Sequence, residues 1–295
     1  MPRSLPSAPV WLLRALWLVL PVVAGPAIAD AFADRSRAVQ VVGSGLAWAG
    51  WAVVLVASLV PRTVTLTAVR ALVPGSVLLA GWAAVGADRP GWAIAGLAVA
   101  VAATIAAFAP AVADAFVDGS SYGDERRVAL RAPLALVAGP VAGAWALAAA
   151  GLVAGPLLLA AERWVVGAVA LLVGLPLAAL VAVRLHALSR RWLVFVPAGV
   201  VVHDPITMAE PVLLQRHLLR RVGPASVDAV DQGAVDLTGG ALGLALELRA
   251  AEPFPLARRR GRDTVEAGGV EAVLVTPGRP ATTLEIAADR RLPVT

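Results

Sequence analysis

Six stretches of this chain are apolar for long enough to cross a bilayer, and all six fall between residues 10 and 187. No other property constrains the fold as much. A segment of about 20 apolar residues in hydrocarbon must satisfy its own backbone polar groups, and a helix does that within one segment. The chain therefore reads as an α-helical polytopic membrane domain of about six transmembrane helices, residues 1–187, followed by a small, mainly-β cytoplasmic domain at 188–295.

Composition excludes a purely soluble alternative, because 59% of the residues are hydrophobic and only 15% are charged. With no Cys there is no disulfide and no thiolate metal site. Lys and Asn are also absent, so Arg carries all the non-histidine positive charge. Arg beside abundant Ala, Val, Gly, Leu and Pro is the usage of a bacterial genome rich in G and C. The basic balance is read as that bias and not as nucleic-acid binding.

The expected spans are Val10 to Ala29, Val41 to Val60, Ala71 to Gly86, Trp92 to Phe116 with a kink at Pro110, Pro133 to Val153, and Trp164 to Leu185. Thr63 to Arg70 is expected near the interface, and Arg14 is expected to snorkel to it. Cytoplasmic loops are enriched in Arg and Lys. With both termini inside, the cytoplasmic side collects Arg3, Arg62, Arg126, Arg127, Arg131, Arg190 and Arg191, against Arg35, Arg37, Arg89 and Arg163 opposite. The expectation is a multi-pass protein of the plasma membrane with both termini cytoplasmic. A competing reading takes Arg3, the run Leu16 to Gly25 and the triplet Ala27-Ile28-Ala29 as a signal peptide cleaved after residue 29, leaving five spans.

The tail opens with a hairpin pattern: Trp192 to Val196, the turn residues Pro197-Ala198-Gly199, then Val200 to His203. Leu242, Leu244, Leu246 and Leu248 alternate with small or polar residues, as in a strand with one buried face. Val270 to Thr276 and Ala281 to Ala287, around Pro277-Gly278-Arg279-Pro280, suggest a second hairpin. Pro211 to Val222 is ambiguous; as a helix it would gather Val212, Leu214, Leu218, Leu219 and Val222 on one side. The stretch from Trp192 to Asp204, set just after a span, resembles the pleckstrin-homology-like β domains of some bacterial membrane proteins. The whole chain is similar in layout to uncharacterised polytopic membrane proteins of high-G+C bacteria with such a C-terminal domain. The resemblance implies a curved, mainly antiparallel sheet with one helix, used for docking, and it implies no catalytic residues.

Candidate sites are few. Arg70 is an ionisable group beside an apolar run and close to Pro74, able to hold an anionic group in the membrane or to lie at its interface. Glu162 and Arg163 between spans five and six form either a gate or a solvated turn. In the tail, Arg216 with Arg220 and Arg221, and Arg258, Arg259 and Arg260 beside Arg262, are candidate contacts to anionic lipid or to a partner. The loop Asp118 to Arg131 lacks a Walker Lys and a Gly-x-Gly-x-x-Gly pattern. It is read as a connector that pairs with the tail. His186, His203 and His217 lack metal-ligand spacing.

These features predict no enzyme, no metal and no cofactor. The expected function is anchoring or assembling membrane components, with the β domain docking a protein partner or the inner-leaflet surface. The alternative is a transporter of a lipid or hydrophobic solute with two three-span halves. It rests on Arg70 and on an echo of Gly45 to Trp51, Pro61, Arg70 and Pro74-Gly75 at Gly139 to Trp145, Pro156, Arg163 and Val166-Gly167.

Overall fold

The computed structural model describes residues 8–85, 90–260 and 263–295, apart from the side chains of Arg260 and Ala267. Of the residues weighed above, Arg3, Arg89 and Arg262 lie outside the described residues. Six helical segments are long and apolar enough to cross a membrane. They are α1 (Ala8–Ala33), α2 (Arg37–Leu59), α3 (Thr63–Ala84), α4 (Pro90–Phe108), the segment Leu134–Ala160, and α8 (Trp164–Ser189). The fifth is a composite of α6 (Leu134–Leu136), a π-helical turn at Val137–Val141 and α7 (Ala142–Ala160). Gly139 and Pro140 sit in that turn, and Gly139 has non-helical angles (φ −106°, ψ −109°).

Three boundaries differ most from expectation, and one of them is the fifth helical segment, which runs to Ala160 instead of Val153. The third helix begins at Thr63, not Ala71, so Arg70 lies inside it. Thr65 fixes that start by accepting the Arg62 N–H through Oγ1 at 2.9 Å. The fourth span breaks outright at Ala109, and a short helix, α5 (Pro110–Asp118), follows. Proline lacks the N–H that would continue the ladder, so a break before Pro110 is what its chemistry dictates.

The chain forms two compact units. The first comprises 1–115 with 140–185, and the second comprises 116–139 with 186–295. The second unit thus joins the tail to a segment that lies between the fourth and fifth apolar helices.

In the first unit α1 packs against α2, α3 and α4, α3 packs on α2 and α4, and α7 lies on α2. Small residues permit these approaches. A Cβ at Gly96 would lie 2.8 Å from the Ala24 Cα, and one at Gly151 would lie 2.7 Å from the Gly174 Cα, joining α7 to α8. Carbonyls freed by helix breaks are answered by side chains from neighbouring helices. Pro21 has no N–H for the Trp17 carbonyl, which accepts Trp51 Nε1–H at 2.9 Å instead. Trp17 Nε1–H returns the bond to the Trp51 carbonyl, also at 2.9 Å. Near the end of α2 the Ser58 carbonyl accepts Arg14 Nη2 at 2.7 Å and Nε at 3.1 Å. Arg14 is only 6% exposed, and its guanidinium caps the negative end of α2. The triplet Ala27-Ile28-Ala29 is helical and Ala27 is buried.

The second unit holds two four-stranded sheets. One has the order β1 (Arg126–Ala129), β2 (Trp192–Val196), β3 (Gly199–His203), β4 (Val212–Gln215), every pair antiparallel. The other runs β5 (Leu219–Pro224), β7 (Leu246–Arg260), β8 (Asp263–Val275), β6 (Ala234–Asp236), with β6 parallel to β8. Val128, Leu193, Phe195, Val200 and Val202 of the first sheet share one core with Val222, Leu246, Leu248, Val273 and Val275 of the second. The connector expected to pair with the tail does so: Arg126 faces Phe195 and Ala129 faces Trp192 across the β1–β2 ladder.

Pro211 to Val222, ambiguous in the sequence, supplies β4, a turn and β5. Two expectations for the tail fail. Ala281 to Ala287 lies in a helix, α9 (Pro280–Asp289), started by proline at its first position. Leu242 and Leu244 precede the strand and are 63% and 51% exposed, because Gly239, Gly240 and Gly243 at positive φ keep that segment a loop.

Candidate functional site

Arg70 is the ionisable group most deeply committed to a span among those singled out. It sits on α3 with its guanidinium carbon 5.5 Å from the centroid of the Phe108 ring at the end of α4. The break at Ala109 and the turn into α5 bring the Asp114 carboxylate within electrostatic range. Pro74 gives no N–H to the carbonyl of Arg70 four residues earlier, while the neighbouring Ala71 carbonyl accepts Trp145 Nε1–H at 2.7 Å. Arg70 Nε is buried without a hydrogen-bond partner among the described residues. The cluster unites a cation, an aromatic face and a counter-charge where three helices meet. That composition can lock helices together or hold an anionic group.

Glu162 and Arg163 are turn residues. Glu162 has φ +61°, the left-handed conformation that ends a helix. Its N–H reaches the Leu159 carbonyl at 3.0 Å, and the Arg163 N–H reaches Leu158 at 2.8 Å. This paired pattern satisfies the last carbonyls of α7 before α8 begins. Both side chains are exposed. The echo of Arg70 at Arg163 therefore joins two unlike places, one inside a helix and the other in a turn.

The basic groups of the tail are held by different partners. Arg220 and Arg221 are adjacent on β5, where the register against β7 shifts. Arg221 is tied to buried Glu247 at 3.4 Å, to Thr295 Oγ1 at 2.9 Å and to the Pro224 carbonyl at 3.1 Å. Arg216 donates to the Arg290 carbonyl at 2.5 Å, beyond α9. Beside it a shallow hollow is lined by Pro197, Ala198, Leu213, Gln215, Arg216 and His217. Arg258 donates to the Asp236 carbonyl at 3.4 Å, Arg259 is exposed, and the Arg260 side chain lies outside the described residues.

Several polar residues escaped the sequence reading. Arg191 is 1% exposed and joins Asp204 Oδ2 at 2.7 Å, the Arg131 carbonyl at 2.6 Å and the Leu237 carbonyl at 3.1 Å. Asp204 also accepts the Ile206 N–H at 3.0 Å and the Thr207 hydroxyl at 2.7 Å. One guanidinium thus holds the exit from β1, the turn after β3 and the end of β6. An aspartate followed by Pro205 and Thr207 is a turn signal, but nothing local predicts that a buried arginine closes it. His203 stacks on Trp192 at 4.7 Å, and Arg127 lies over the same indole at 5.7 Å. Burial first, then Arg190 and Arg127, hold the His203 imidazole below its ordinary value, opposed by Asp204.

Among the described residues no group of three or more His, Cys, Asp or Glu is placed to hold a metal ion. Compared with protein families, curated proteins and solved structures, the chain matches none.

Proposed function

We propose that this chain is a non-enzymatic integral membrane protein of the plasma membrane, with both termini cytoplasmic. Six helices anchor it, and its β unit docks a protein partner at the membrane surface. The observation that carries this reading is the β1–β2 ladder, Arg126 to Ala129 against Trp192 to Phe195. Two strands that pair must lie on the same side of a bilayer, so the chain between them crosses an even number of times. The helices at Leu134–Ala160 and Trp164–Ser189 are long and apolar enough for two crossings. A β unit threaded back to the segment between spans is held near the bilayer at more than one point of the chain. That suits a docking platform better than a loosely tethered tail. The Arg distribution supports a cytoplasmic β unit.

A photo-crosslinking residue placed at Leu213, Leu244 or Glu252 of the full-length protein in native membranes tests this. A discrete protein adduct at one position, lost when Val128→Pro breaks the β1–β2 pairing, is expected. Lipid adducts alone at all three positions would overturn it. A second reading, transport of a lipid or hydrophobic solute, is favoured by the buried Nε of Arg70. It requires Arg70→Ala to abolish flux in proteoliposomes at unchanged protein content.

A further inference from the structure

The first unit carries an apolar groove of about 710 Å³ between the start of α2 and the turn joining α7 to α8. Its floor and walls are Val41 and Val42 from α2, Pro156 and Leu159 from α7, and Leu171 from α8. Arg37 lines the groove at the N-terminal end of α2, and Trp164 lines it at the start of α8. The groove is shallow and open, and its lining is apolar apart from Arg37. Gly155 lets Leu171 come so close that a Cβ there would lie 2.6 Å from Leu171 Cγ, which fixes α8 against α7 below the opening.

Charge decides the occupant. Arg37 is exposed, and no ion pair to it exists among the described residues. It stands on the first turn of α2, where the helix dipole adds partial positive charge. At that terminus the Ser36 hydroxyl reaches only the Val39 N–H, at 3.4 Å, leaving the N–H groups of Arg37 and Ala38 to an external acceptor. Glu162 and Arg163 in the facing turn carry opposite charges and offset one another. Trp164 is 64% exposed, as an aromatic residue at headgroup level is. An apolar trough ending in a free guanidinium and a helix N-terminus matches a molecule with a hydrocarbon chain and a phosphate at one end.

We propose that the groove binds one anionic glycerophospholipid of the surrounding bilayer, its acyl chain along Val42 and Leu171 and its phosphate at Arg37. The site is separate from the β unit, so it stands or falls independently of partner docking.

Native mass spectrometry of the full-length protein, extracted in mild detergent and supplied with phosphatidylglycerol or phosphatidylcholine, reads occupancy directly. Wild type should retain phosphatidylglycerol at least fivefold over phosphatidylcholine. Arg37→Gln should remove that preference, and Arg37→Lys should keep most of it because the charge remains. Ala38→Trp, which adds bulk to the groove wall, should lower retention of both lipids. Size-exclusion profiles matching wild type show that each variant is folded. Equal retention of the two lipids by wild type would overturn the proposal, as would undiminished phosphatidylglycerol in Arg37→Gln. A lipid-free dimer of this chain that Ala38→Trp dissociates would assign the groove to a second copy instead.

Discussion

Removing the Asp204 carboxylate should unfold much of the β unit while leaving the membrane helices in place. Arg191 is 1% exposed, and among the described residues Asp204 is its only carboxylate partner, at 2.7 Å. Asp204→Ala leaves a buried cation with carbonyl acceptors but no counter-charge, a loss of about 3–5 kcal/mol. The Ile206 N–H and the Thr207 hydroxyl lose their acceptor too, but both lie where water can replace it, adding about 1 kcal/mol at most. A domain has only about 5–15 kcal/mol in hand. A loss near 4 kcal/mol lowers the melting temperature by roughly 15 °C at this size. Hydrogen–deuterium exchange resolved by peptide is the assay, because it reads β2, β3 and β6 separately from the spans. Exchange should rise in those strands and stay at wild-type levels in α1 to α4. Asp204→Asn, which keeps the acceptor for Ile206 but loses the charge, should fall between. The double variant Arg191→Met with Asp204→Leu, which removes both charges, should recover to within about 2 kcal/mol of wild type. A loss below about 1 kcal/mol in Asp204→Ala would refute the view that this pair ties the two sheets together.

Three further outcomes follow from the geometry. Glu162→Gly should stabilise the α7–α8 turn by about 0.5–1 kcal/mol, seen as a higher melting temperature in detergent, because a left-handed φ of +61° costs glycine nothing. Arg14→Ala should cost about 1–3 kcal/mol by stripping the Ser58 carbonyl of both its donors, and protease should then reach the α2–α3 turn sooner than in wild type. Because the His203 imidazole is held below its ordinary value of 6.5 by burial and by Arg190 and Arg127, against Asp204, the unfolded chain takes up a proton first as pH falls. Stability present above about pH 6.5 should therefore be lost progressively below it, and His203→Phe should flatten that part of a melting-temperature profile between pH 5 and 8.

What the sequence makes legible follows from how local each cause is. Span-length apolar runs need no partner to be recognised, and six helices of that character are present. The β2–β3 hairpin is also local, since alternation and the turn Pro197-Ala198-Gly199 lie within a dozen residues. Pro211 to Val222 stays ambiguous in the sequence because its apolar residues fit a helical face as well as two strands, and only the partners β3 and β7 decide between them. At Ala281 to Ala287 the signal is present in Pro280 at a helix start but loses to the preceding turn residues. Arg70 is recognisable as costly; its companions Phe108 and Asp114 are not, because the break at Ala109 assembles them. The spread of Arg216, Arg220 and Arg221 is likewise tertiary, with buried Glu247 claiming one of the three.

The β1–β2 ladder also orders events during synthesis. Arg126 leaves the ribosome well before Phe195, and the fifth and sixth helices are made in between. Until that helical pair is inserted and the chain has returned, Val128 and Leu130 have no sheet to join and stay exposed beside the membrane. If the last two helices both cross the bilayer, completion of the β unit registers that they have been threaded correctly. A protein in which they fail to insert should display an unpaired apolar strand that quality-control proteases can read.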